Sequence, residues 1–184
     1  MKSYALAPMS KDIRILTLVC LVVPPGLAAG ALLGVRELFI PLLLILPIYA
    51  WVWLFFRPTR FVLHPDTLEV VWPLKRRQFA RKSIVSAHIL DARGLKDEVG
   101  WGMRVGAGGL WGAFGWLWTR RRGIVQMYIS RTDQLLWLER GGERPWLISP
   151  ERPEEFLREL AAEKARDAGA PLVDEDDQER KGAK

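Results

Sequence analysis

Two long apolar runs open the chain, and short alternating runs follow. Residues 15–35 carry no charge and residues 38–56 carry none, with only Arg36 and Glu37 between them. At about 1.5 Å per residue, each run is long enough to cross a hydrocarbon core of about 30 Å. So short a connection predicts an antiparallel helical hairpin over residues 13–56. A cleaved signal peptide, with Lys11 and Arg14 as its basic start, fits less well because a second apolar run follows at once. Pro24, Pro25, Pro41 and Pro47 interrupt the runs, as prolines do more often in membrane helices than in soluble ones. Gly26, Gly30 and Gly34 form a GxxxGxxxG row. Small residues at that spacing let a helix approach closely, from the same hairpin or from a partner.

After residue 57 the period changes to two. Runs at 61–64, 67–72, 75–82, 84–90, 123–130, 135–139 and 146–148 read as about seven short antiparallel strands. Pro65-Asp66 and Gly141-Gly142 mark turns between them. Over residues 150–166 the period becomes helical, with Phe156, Leu157, Leu160 and Ala161 as one apolar stripe. Ser149 is placed to cap that helix, Pro150 to open it, and Glu151, Glu154 and Glu155 suit its first turn. Strands in series with one closing helix suggest a small bent sheet or barrel.

The most specific carriers of a resemblance lie in this part. They are Arg60-Phe61 opening the first strand, the Gly-rich stretch 100–115 before a Val/Tyr strand, and Trp146-Leu-Ile-Ser-Pro150 leading into Glu154-Glu-Phe156-Leu-Arg-Glu-Leu160. On these residues the chain resembles bacterial pleckstrin-homology-like (PH-like) domain proteins with an N-terminal two-helix membrane anchor. The resemblance implies two packed antiparallel sheets, a mainly-β PH-like barrel closed by a C-terminal α-helix. It implies a binding or scaffolding role and gives no ligand. The expected organisation is an N-terminal cytoplasmic flank at 1–12, a transmembrane hairpin at 13–56, a PH-like domain at 57–166 and a disordered charged tail at 167–184.

Composition and charge sharpen this picture. The chain of 184 residues holds nine Trp against three Tyr, and its formal net charge is +6. Residues 1–149 hold 20 Lys and Arg against 10 Asp and Glu, whereas residues 150–184 hold 7 against 11. Lys2, Lys11 and Arg14 flank the first run and Arg57 and Arg60 follow the second, with Arg36 alone at the tip. The positive-inside bias places both termini and the PH-like domain in the cytoplasm, at the bacterial inner membrane. Cys20 is the single cysteine, so no disulfide scaffold exists.

Residues 100–122 read GWGMRVGAGGLWGAFGWLWTRRR. Trp101, Trp111, Trp116 and Trp118 crowd this tract, and Arg120, Arg121 and Arg122 end it. Tryptophan favours the headgroup level and clustered arginine favours anionic lipid. The tract therefore either dips into the inner leaflet or packs its tryptophans in the core while its glycines let strands bend. Lys75, Arg76 and Arg77 form a second basic group, which alternating strand faces would divide. Trp51 and Trp53 suit an aromatic belt at the end of the second run.

Catalytic signatures are missing from the sequence. His64 and His88 lack metal-ligand spacing, no nucleophile elbow appears, and Asp97-Glu98 reads as a solvated pair. The expectation is a non-enzymatic membrane-anchored module without cofactor, metal or nucleic acid, contacting protein partners or anionic lipid headgroups, as a monomer or a homo-oligomer. The alternative is an accessory subunit of an inner-membrane complex, such as a transporter, docking through the Gly row.

Overall fold

Strand β1 (Lys2–Ala5) begins the chain, and its partner lies beyond both apolar helices. In the computed structural model, which describes residues 1–167, β1 pairs antiparallel with β2 (Arg60–Leu63) in the register Tyr4↔Phe61. Helix α1 (Lys11–Leu32) and helix α2 (Phe39–Trp51) come between them, and a π-helical turn, Val52–Phe56, continues α2. The pairing of β1 with β2 requires the two helices to return to their starting level, which an antiparallel hairpin does. Helix α1, and α2 together with its flanking helical turns over Arg36–Phe56, are long and apolar enough to cross a membrane, and only 11% and 6% of their apolar stretches are buried. The core helix of a soluble protein would be mostly buried. The charged tail expected at 167–184 lies, from residue 168 on, outside the described residues.

Ten strands form two sheets. The first runs β1-β2-β3-β4, with β3 (Thr67–Val71) and β4 (Arg76–Ala80). The second runs β5-β9-β10-β8-β7-β6. Its members are β5 (Ile84–Leu90), β6 (Gly102–Gly108), β7 (Ala113–Thr119), β8 (Gly123–Ile129), β9 (Leu135–Arg140) and β10 (Trp146–Ile148). The expected closed barrel is not found; the sheets pack face to face with separate strand sets. All seven expected strands are present, and β1, β6 and β7 are added. The expectation of antiparallel pairing fails at one place. The β9–β10 hairpin turns β10 back into the gap between β9 and β8, so β10 runs parallel to β8.

The main core lies between the sheets, where Phe61, Leu68 and Val70 of the first meet Phe114, Leu136, Leu138, Trp146 and Ile148 of the second. Helix α4 (Pro153–Asp167) closes it with Phe156 and Leu160, and Tyr4 meets the Phe156 ring edge-on at 5.1 Å. This helix starts at Pro153 and not at Pro150, because the preceding residues continue the sheet. Ala7 N–H donates to the Ser149 carbonyl at 2.9 Å, Glu151 N–H to the Ala5 carbonyl at 2.9 Å, and Pro150 bridges Leu6. Full burial of Phe156 contributes roughly 1.5–3 kcal/mol. The outer face of the larger sheet carries Leu117, Val125, Met127 and Trp137, covered by Val99 and Leu95 of helix α3 (Ala92–Val99). Asp91 caps α3 by accepting the Gly94 N–H at 2.6 Å.

Helix α1 crosses the strand ends of the larger sheet. Ser10 N–H, just before the helix, donates to the carbonyl of Ser130 at the end of β8. Thr17, two turns on, meets the β6–β7 turn: its hydroxyl lies 3.0 Å from the Gly109 carbonyl and accepts the Trp111 N–H at 3.0 Å. Seven residues of helix rise about 10 Å. Two strand spacings of about 4.8 Å cover the same distance. The axis of α1 therefore runs across the strands, from the level of β8 to that of β6.

Candidate functional site

The Trp/Gly tract is a β-hairpin, β6–β7, at one edge of the larger sheet. Glycine permits it: Gly106 and Gly115 face each other in the register with φ of +139° and +128°. A Cβ at either would fall within 2.5 Å of backbone on the opposing strand. The two strands thus approach more closely than side chains allow, and the ribbon bends there.

The ribbon tip is docked on both helices. Trp111 adopts φ +59°, a strained value for a bulky residue. Its ring meets Trp53 at 4.7 Å and Tyr49 at 6.4 Å, both edge-on. Tyr49 in turn donates to the Cys20 carbonyl at 2.7 Å, which ties α2 to α1.

Away from the tip, one face of the ribbon is bare. Along β7 the inward-facing residues pass from Phe114, 1% exposed, to Trp116 at 41% and Trp118 at 59%. Val105 stands opposite Trp116, and Met103 opposite Trp118, which in turn faces Ile124 of β8. Val105, Met103 and Ile124 are all exposed, as is Trp101 just before β6. Parity puts all six on the face that, farther along the sheet, forms the main core. The four-stranded sheet stops short of them.

The expected site residues therefore separate into groups. Trp101, Trp116 and Trp118 share the bare face, while Trp111 packs at the tip. Arg120 is exposed, and its N–H donates to the Trp101 carbonyl. Arg121 and Arg122 instead bind α3, through the Asp97 carbonyl and the Glu98 carboxylate. Arg76 pairs with Glu69 at 3.8 Å on one face of β4. Lys75 sits 4.7 Å from the Trp72 ring centre, and burial together with the nearby Arg77 pushes its ammonium pKa down. Arg77 turns toward the larger sheet, 3.4 Å from the Gln126 amide oxygen and 5.4 Å from the Trp146 ring. The Gly row is not one continuous stripe. Gly34 lies past the end of α1, Gly30 is met by Leu38 of the same hairpin, and Gly26 has no neighbour within 4 Å.

Beside the bare face lies a cleft of about 340 Å³. Arg77, Gln126, Arg140, Glu143, Arg144 and Trp146 line it. Sequence reading missed Arg140 and Arg144, since they join Arg77 only when β9–β10 lies beside β4. Among the described residues, no group of three or more His, Cys, Asp or Glu side chains could hold a metal. His64 hydrogen-bonds to Glu69 at 3.1 Å across the β2–β3 turn, remote from the ribbon.

Two packed sheets with a C-terminal helix across them define a PH-like module. The chain belongs to the bacterial PH domain family, whose profile matches residues 59–164. PH domains are generally non-catalytic binding modules, and the match indicates no enzymatic family. Comparison with curated proteins and with solved structures gives no significant match.

Proposed function

We propose that this protein is a membrane-anchored binding module, held by two spans, that lays its β6–β7 ribbon in the lipid interface. Supporting this reading above all is the path of α1 across the sheet. Thr17 lies three residues past Arg14, roughly 5 Å into the apolar run, and Cys20 roughly 9 Å. Trp53 and Tyr49 lie four and eight residues before Arg57, roughly 6 and 12 Å in. If the helices stand across the bilayer, the ribbon lies along its surface, near the headgroup and acyl boundary. Tryptophan, methionine and valine on its bare face suit that depth. The free backbone edge of β6 suits the hydrated interface and not the hydrocarbon core. Arg104 and Arg120 can reach outward to anionic headgroups.

The basic flanks at Lys11, Arg14, Arg57 and Arg60 favour the cytoplasmic side for both termini and for the β domain, and the β1–β2 pairing supports one side for β1 and the β domain. The open surface at Gly26 supports a second reading, docking of a partner helix in a larger membrane complex. Crosslinking of Gly26→Cys in a Cys20→Ser background within native membranes tests it; recovery of monomer alone counts against it.

Bromolipid quenching tests the main reading on the full chain in vesicles. Bromines near the top of the acyl chain should quench wild-type tryptophan fluorescence more than they quench the Trp101→Phe/Trp116→Phe/Trp118→Phe variant. Wild-type fluorescence quenched less than that of the variant would place these rings in water and end the proposal.

A further inference from the structure

The cleft beside the ribbon has a recognisable electrostatic design. Three arginines line it from two chain segments, Arg77 from β4 and Arg140 and Arg144 from the β9–β10 hairpin. Arg140 is nearly fully buried, and its guanidinium is held 4.4 Å over the Phe79 ring. The Trp146 indole N–H is fully buried and has no hydrogen-bond partner. A buried donor left unpaired costs about 1–3 kcal/mol, so such a group calls for a ligand or an ordered water. The one carboxylate present, Glu143, pairs with Arg140 at 2.7 Å, and its own side chain is 53% exposed. Exposed at the turn beside Gly141-Gly142, Glu143 is a displaceable occupant of the Arg140 guanidinium.

We infer that this cleft binds a phosphate group, which displaces Glu143 from Arg140 and engages Arg77, Arg144 and the Trp146 indole. A phosphate offers enough oxygens for three guanidinium groups and an N–H, whereas a carboxylate offers two. The phosphate can belong to a lipid headgroup or to a soluble molecule. Position favours the headgroup. Val105, Trp116, Gln126, Trp146 and Leu138 form one row across the sheet. The cleft therefore begins one strand out from the ribbon, about 5 Å farther from the apolar level. That headgroup source rests on the membrane reading above; the phosphate site itself does not.

The test uses the full chain with 15N-labelled tryptophan in neutral detergent, the Trp146 indole resonance being assigned with Trp146→Phe. Inorganic phosphate is titrated at constant ionic strength against chloride. The resonance should shift saturably with phosphate and not with chloride. Arg77→Gln/Arg144→Gln, both on the rim, should weaken the response roughly tenfold, as loss of charge-assisted hydrogen bonds does. Glu143→Gln, which removes the internal competitor, should tighten it several-fold. A resonance indifferent to phosphate, or the same response in the double variant as in wild type, overturns the site. A second arm compares nanodiscs of phosphatidylcholine with nanodiscs containing phosphatidylglycerol. If phosphatidylglycerol reproduces the shift and blunts the phosphate titration, the lipid is the source. A shift with inorganic phosphate alone keeps the site and assigns it to a soluble phosphate compound. Ribbon quenching reports separately on the membrane reading, so the two can fail independently.

Discussion

The larger sheet has two edges, and they differ sharply. Strand β5 carries Ser86 and His88, and α3 and α4 pack beside it. Strand β6 carries Met103, Val105 and four small residues, Trp101 precedes it, and Trp116 and Trp118 stand opposite it. Val85 on β5 and Val105 on β6 are similarly exposed, at 56% and 46%. Only the second belongs to a continuous apolar face. Soluble proteins blunt or cover such edges, since a bare apolar strand pairs with other chains. Here β6 is bare at the edge whose turn is pinned to two apolar helices. A lipid surface at that edge accounts for both features.

The largest contrast to break is that between covered and bare tryptophans of the same sheet. Trp137→Ala removes a fully buried ring and should cost about 3–5 kcal/mol in thermal unfolding in detergent. Trp118→Ala, on the bare face, should stay within about 0.5 kcal/mol in the same assay. A large loss at Trp118 would mean that the ribbon face is packed and not free. Next comes Gly115→Ala, whose Cβ would fall 2.5 Å from the Val105 carbonyl at a φ of +128°. It should cost about 1–3 kcal/mol and speed amide exchange in β6 while sparing β5. Thr17→Val removes the hydroxyl shared by Gly109 and Trp111. It should cost about 1–3 kcal/mol and release the tip, read as faster exchange at 109–112.

The smallest effect concerns pH and serves as a control far from the ribbon. The hydrogen bond from His64 holds the Glu69 carboxyl below its usual range. A lowered folded-state pKa stabilises the fold above the ordinary carboxylate range, and that contribution is lost as pH falls through the lowered value. Glu69→Gln should therefore flatten the acid limb of the stability profile and leave β6 exchange unchanged.

Much of this architecture was legible in the chain, and the exceptions have physical causes. The seven strands from β2 to β5 and β8 to β10 show alternation bounded by turn residues. Strand β1 does not, because KSYA is too short to show a period and its partner lies beyond both helices. In β6 and β7, glycines at 106, 108 and 115 erase the alternation that Met103/Val105 and Trp116/Trp118 otherwise display. Those four positions held the signal, since equal parity within each strand puts them on one face. Helix α3 was hidden by Gly94, although Asp91 with Leu95 and Val99 gave a cap and an i, i+4 apolar pair. The phosphate cleft was not legible at all. Its arginines are 63 or more residues apart in sequence between β4 and the β9–β10 hairpin, and only sheet packing joins them.

The two valines provide the most direct test of the membrane reading. Val105→Cys and Val85→Cys, each in a Cys20→Ser background, are spin-labelled in the full chain and placed in vesicles containing phosphatidylglycerol. Power saturation then compares access of oxygen, which concentrates in lipid, with that of a water-soluble nickel chelate. The label at position 105 should be oxygen-accessible and shielded from nickel, and the label at 85 the reverse. Equal nickel access at both positions would put the two edges in the same solvent and contradict the account.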